Sequence, residues 1–227
     1  MRRREFMAVA LPTGMVGGLL AAQPAWALSE SDAAIGVRTA IERGAEAAVG
    51  LLGRNDGFLG NPKVRIELPG PLQQAAGLLK ATGQGGRLDE LVTAMNRAAE
   101  AAVPQARTLL VNAARSMSVE DALRIVRGGD TSVTDFFAGK TREPLTQQFL
   151  PIVGRATEKV SLAAKYDAVA GRAAKLGLLK ERDADLRGYV TARALDGLYL
   201  TIGEQERAMR RDPVGTGSAI LKKVFGS

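Results

Sequence analysis

Apolar residues recur at intervals of three and four from Ala34 onward. Ala34, Val37, Ile41, Ala45, Ala48 and Leu52 fall on one side, while Arg38, Glu42 and Glu46 fall on the other. That spacing follows the 3.6-residue turn and predicts an amphipathic helix. Ser29-Glu30-Ser31-Asp32 supplies N-cap side chains ahead of it, and Gly53 with Asn55-Asp56-Gly57 closes it. Residues 72–80 predict a short helix ended by Gly83, Gly85 and Gly86. Leu88, Leu91, Met95, Ala99, Ala102 and Val103 then share a face. Pro104 interrupts this stripe, yet the spacing resumes at Leu109 and Leu110, so a kinked helix or two abutting helices are expected.

Ser118 and Asp121 resemble a capping box ahead of Leu123 and Val126, and Gly128-Gly129 stops that helix. Ser132 and Asp135 repeat the signal before Phe136 and Phe137. A new helix is expected from Thr141, with Pro144 in its first turn and a stripe of Leu145, Phe149, Ile152, Ala156, Val160 and Ala163 bent at Pro151. Gly177 and Lys180-Glu181-Arg182 mark a break. A last long helix spans about 184–210, with Leu195, Leu198, Ile202 and Met209 inward, and Asp212-Pro213 ends it. A small amphipathic helix over 220–225 closes the chain.

The stretch 58–71 departs from this pattern. Lys63-Val64-Arg65-Ile66-Glu67-Leu68 alternates polar and apolar, but Pro62, Pro69 and Pro71 bracket it, so a short extended clip over 63–68 is expected rather than a central strand. With no fixed-period repeat, the expectation is an all-α bundle of about seven to nine helices in one domain over 28–227, kinked near Pro104 and Pro151.

Residues 1–27 read as an address instead of structure. Arg2, Arg3 and Arg4 precede a lukewarm apolar stretch, broken by Pro12, Gly14, Gly17 and Gly18, and Ala25-Trp26-Ala27 offers a small–x–small cleavage pattern. Arg3-Arg4-Glu5-Phe6-Met7 has the form of a twin-arginine export signal, with an ordinary secretory signal as the alternative. Cleavage after Ala27 and a periplasmic or secreted mature chain are expected.

Composition sharpens the functional question. The chain has no His and no Cys, which removes Ser-His-Asp and Cys-His nucleophiles, thiolate or imidazole zinc sites and disulfides. Without residues 1–27 the net charge falls from +7 to +5, and the single Trp is lost with them. An exported chain with few aromatics is a poor nucleic-acid binder despite its basic charge, and at most weak contact with an anionic membrane surface is expected.

Four separated segments carry a resemblance. They are Asp56-Gly57-Phe58-Leu59-Gly60-Asn61-Pro62 with Lys63-Val64-Arg65-Ile66, Met95-Asn96-Arg97-Ala98-Ala99-Glu100, Leu195-Asp196-Gly197-Leu198, and Arg210-Arg211-Asp212-Pro213-Val214-Gly215 with Val224-Phe225-Gly226. In these the chain resembles the bacterial family catalogued as domain of unknown function 4197. Glu67 departs from it, standing where an apolar residue or Pro is common. The resemblance implies export and a largely helical fold, and it brings no catalytic residues.

Candidate binding residues follow from spacing. Asn96 and Glu100, four apart with Arg97 between them, can meet or grip one ligand, and an Arg beside a carboxylate can hold an anionic group. The bland alternative is an internal ion-pair network or a solvated face. Asp196, Tyr199, Glu204 and Glu206 bring carboxylates and a phenol to the last long helix. Asn55-Asp56-Gly57 lacks the carboxylates of a calcium loop, and no metal or other cofactor is expected.

Two function classes remain. The first is a non-enzymatic binder of a partner protein, an envelope component or a small apolar ligand, with Asn96, Arg97, Glu100 and Asp196 as candidate contacts. The second is a carboxylate-based hydrolytic or metal-dependent enzyme, which needs two of Glu100, Asp196 and Glu204 in one pocket. A membrane-surface role for residues 218–227 is a weaker third.

Overall fold

The computed structural model describes residues 28–120, 122–176 and 185–226. The segment 1–27 expected to direct export, Asp121 of the expected capping box, and the break assigned to Gly177 and Lys180-Glu181-Arg182 lie outside the described residues. Among those described, the fold is all-helical, with eight helices and no strand: α1 (Glu30–Leu52), α2 (Gly70–Ala81), α3 (Gly85–Ser116), α4 (Ala122–Val126), α5 (Ser132–Lys159), α6 (Leu162–Lys175), α7 (Leu186–Arg211) and α8 (Ala219–Phe225).

The four long helices form a closed ring in which α1 packs on α3 and α7, and α5 packs on the same two. Short helices cover the outside: α2 lies on α3 and α6, α4 on α1 and α5, and α8 on α1 and α7. The core between them is aliphatic and small, with Val37, Ile41, Ala45 and Ala48 of α1 meeting Met95, Ala99 and Val103 of α3 and Leu198 and Ile202 of α7 in one buried cluster. Ala and Gly let the axes approach, and a Cβ on Gly36 would sit 2.5 Å from Cγ2 of Val224 on α8. Lys223 of α8 bonds Asp32 of α1 at 2.6 Å. That bond, helped by the Ser29 hydroxyl, holds the Asp32 carboxyl below its ordinary pKa.

Helix ends are met by side chains both near and distant in the chain. Ser29 caps α1 as its sequence implies, accepting from the N–H of Asp32 at 3.0 Å. The N-terminus of α4 is met by a distant side chain, since Leu123 N donates to Glu30 of α1 at 3.3 Å. Neither Ser132 nor Asp135 caps α5. Glu206 of α7 does, accepting from Val133 N at 3.1 Å and from Thr134 N at 2.8 Å.

Two helix boundaries differ from the sequence reading. The short helix around Phe136 and the helix expected from Thr141 are one, because Phe137, Thr141, Leu145 and Phe149 make an unbroken buried stripe through Pro144. That stripe outweighs the single backbone bond a proline removes. The stripe expected to run through Val160 to Ala163 instead breaks at Ser161, which takes a left-handed φ of 53°. The break redirects α6 so that Leu162, Tyr166, Val169 and Ala173 are buried. Pro104 and Pro151 stand inside α3 and α5.

Residues 53–69 are neither helix nor strand. They run in turns to Val64 and irregularly from Arg65 to Pro69, covering part of α3 and α7. Phe58 is fully buried there, and a Cβ on Gly197 of α7 would lie 2.7 Å from its ring. Burial of that ring contributes about 1.5–3 kcal/mol.

Candidate functional site

Asn96, Arg97 and Glu100 sit midway along α3, directly beneath the 53–69 segment. The sequence places Asn96 and Glu100 one turn apart, and the segment lies over both, leaving Asn96 0% and Glu100 4% exposed. The Asn96 carboxamide acts as a strand partner for one residue. Its Oδ1 accepts from Ile66 N at 2.8 Å, and its Nδ2 donates to Ile66 O at 2.9 Å and Val92 O at 2.8 Å. Both amide hydrogens are thereby engaged.

Glu100 does the same for the preceding turn. Its Oε1 accepts from the N–H groups of Phe58 and Leu59, each at 3.0 Å, and its Oε2 accepts from Arg97 at 2.6 Å. Arg97 continues to Asp56 at 2.8 Å. The Glu100 hydrogen bond and, after it, Asp56 raise the Arg97 pKa above its ordinary value. Asp56 itself holds a left-handed φ of 62°, which turns the chain toward α3. What these three side chains grip is the chain's own segment from Asp56 to Ile66. Their spacing alone could not reveal this, because the partners on that segment, the Asp56 carboxylate apart, are backbone N–H and C=O groups that any residue type supplies.

Replacing Asn96 by Leu is expected to lower stability by about 1–3 kcal/mol, because the N–H and C=O of Ile66 would be buried without partners. A thermal melt followed by circular dichroism checks it.

Asp196 lies apart from this group. It pairs with Arg142 of α5 at 2.6 Å and with Arg193 at 3.2 Å. The Arg142 guanidinium also stacks over the Tyr199 ring, 4.9 Å from its centroid. Arg142, Asp196 and Tyr199 border a cleft of about 250 Å³ that also includes Arg207 and Thr131. Glu204 bonds Lys63 at 2.6 Å and borders a different cleft, of about 310 Å³, with Arg54 and Asp56. Glu100 lines neither. Among the described residues no group of three or more acidic side chains is placed to hold a metal ion.

Behind Arg142, the Tyr199 hydroxyl lies 3.0 Å from Thr141 Oγ1, which itself donates to Phe137 O at 2.6 Å. A hydroxyl has one hydrogen, so Tyr199 is the donor. Burial raises the Tyr199 pKa, against the opposing effects of Thr141 and Arg142. Because the folded chain retains this proton where the unfolded chain releases it, stability declines as pH climbs past about 10. Tyr199→Phe is expected to flatten that decline and to cost about 0.5–1.5 kcal/mol at neutral pH. Urea titrations at pH 7 and in the alkaline range check both.

Two larger grooves open on the bundle. One of about 820 Å³ lies where α5, α6 and α7 meet, lined by Leu162, Tyr166 and Leu186 with Glu158 and Asp167. The other, of about 430 Å³, runs between the C-terminal half of α3 and the middle of α5. Leu109, Ala113, Met117, Pro144 and Leu145 line it together with Asn112, Ser116, Ser118, Lys140, Thr141 and Gln148. No residue pattern in the sequence marks this groove, because it arises from two faces far apart in the chain. On α8, Leu221 and Val224 are buried, so only Lys222 and Lys223 of its middle are exposed to a surface. No described helix is long and apolar enough to cross a membrane.

The family described as "Protein of unknown function (DUF4197)" matches residues 27–226, and the chain belongs to it. No curated protein and no solved structure matches the chain.

Proposed function

We propose that this member of the DUF4197 family is a non-enzymatic binding protein of the cell envelope, exported through its first 27 residues, and that it holds a small apolar ligand in the groove between α3 and α5. The observation that carries this reading is the groove itself: about 430 Å³, with Leu109, Ala113, Met117, Pro144 and Leu145 in its walls and polar side chains set among them. Ligand sites of this kind typically span about 300–1,000 Å³ and combine apolar walls with a few polar groups.

The carboxylate-based alternative has less to stand on. It needs two of Glu100, Asp196 and Glu204 in one pocket, whereas Glu100 anchors Phe58 and Leu59, Asp196 pairs with Arg142, and Glu204 pairs with Lys63.

Native mass spectrometry of the protein purified from its own envelope tests the binding. A copurifying amphiphile at one per chain supports it. A bare protein that also takes up no added apolar probe overturns it. Replacing Arg3 and Arg4 by Lys is expected to leave the precursor in the cytoplasm, read by cell fractionation. Undiminished export would exclude the twin-arginine route.

A further inference from the structure

We infer that the α3–α5 groove takes a single-chain amphiphile with an anionic head, the head resting at Lys140 and the chain running along Leu109, Met117 and Leu145. The inference rests on the apolar-ligand reading above and adds the charge of the ligand and the number of its chains.

Charge is the first argument. Lys140 lines the groove and is exposed, held only over the Phe136 ring, 5.9 Å from its centroid. Among the described residues it has no carboxylate partner. Cations flanking it on the same two helices do have one, since Arg115 bonds Glu42 at 3.0 Å and Arg142 bonds Asp196 at 2.6 Å. No Asp or Glu lines the groove, so the formal charge of its lining is positive. The side-chain amides of Asn112 and Gln148 share that lining and make no hydrogen bond among the described residues, which leaves donors beside the ammonium for a carboxylate head.

Size is the second. Liquid water occupies about 30 Å³ per molecule, and a methylene is of similar bulk, so about 430 Å³ accommodates a chain of roughly ten to twelve carbons. That volume matches one such chain, which favours a free aliphatic carboxylate over a two-chain lipid. Met117 and Leu145 are buried in the floor and supply apolar contact without a polar atom to be desolvated.

Isothermal titration calorimetry of the folded protein with sodium decanoate, decanol and decyltrimethylammonium, all below micelle formation, tests this. Decanoate is expected to bind one per chain, and Lys140→Gln is expected to weaken it about fivefold while leaving decanol unchanged. Lys140 is exposed, so that variant retains the fold. Ala113→Leu, which fills the groove, is expected to abolish binding of decanoate and decanol alike, its melting curve confirming that it folds. Equal binding of all three probes, with Lys140→Gln silent and Ala113→Leu blocking, would overturn the anionic head and leave the groove reading intact. Decanoate binding that Ala113→Leu does not affect, or no binding of any probe, would overturn both.

Discussion

Glu206→Ala is expected to lower the unfolding free energy by about 3–5 kcal/mol, a large share of what a domain of this size possesses. Glu206 is 1% exposed and serves three structures at once. Its carboxylate accepts from Val133 N, Thr134 N and the Thr134 hydroxyl at the start of α5. It also accepts from Arg210, one turn further along α7, at 2.8 Å. Arg210 in turn donates to Val126 O at the end of α4 and lies 4.5 Å from the Phe225 ring centroid on α8. Removing the carboxylate leaves two buried N–H groups at a helix terminus without an acceptor and a largely buried guanidinium without its counter-charge. Glu206→Gln keeps the shape and one acceptor oxygen, so a smaller loss is expected. Urea unfolding followed by circular dichroism reads both, with the midpoint falling and the slope unchanged.

Glu100→Ala is the second large effect, about 3 kcal/mol or more by the same reasoning of a buried counter-ion and orphaned donors. Its signature differs. Apart from Arg97 on its own helix, Glu100 holds only the 53–69 segment, so that segment should open before the bundle does. Hydrogen exchange at the amides of Phe58 and Leu59 is expected to accelerate far more than exchange in the buried turns of α1 or α7. Arg97 has Glu100 as its shortest partner, so Arg97→Ala should cost less in the Glu100→Ala background than in the native chain, a coupling of about 0.5–3 kcal/mol. Additive losses would mean that Arg97 and Glu100 act independently and would contradict the bonded pair.

These two glutamates explain how much of the protein is legible from its residues alone. The helices are legible because burial along each one repeats every three or four positions, and that periodicity is local. The joint at Pro144 is not. A proline costs one hydrogen bond, and only the packing of Phe137, Thr141, Leu145 and Phe149 decides whether the helix continues. The turn at Ser161 has neither Gly nor Pro to announce it and is set by the burial of Leu162 and Tyr166.

The roles of the polar residues were legible in identity but not in direction. Asn96, Arg97 and Glu100 attract notice as a cluster on one helix, yet whether they face a ligand, water or the chain itself depends on where residues 53–69 lie. Glu206 resembles any acidic residue on a long helix. Its task is to cap another helix 73 positions away in the chain, and no nearby residue reports that. Asp196 was drawn into the same group by residue type and stands instead with Arg142 and Tyr199. The α3–α5 groove, on which the binding proposal turns, belongs to neither helix by itself.

The seating of Val224 over Gly36 joins α8 to α1. During synthesis the N-terminal helix therefore emerges with part of its apolar side bare, and the residues that cover it leave the ribosome nearly two hundred positions later. At about 5–20 residues per second, that interval is about ten to forty seconds, long enough for a holding chaperone to engage the nascent chain. Truncation before α8 would make that exposure permanent, and a shortened product would be a substrate for proteolysis even with the four-helix ring otherwise complete.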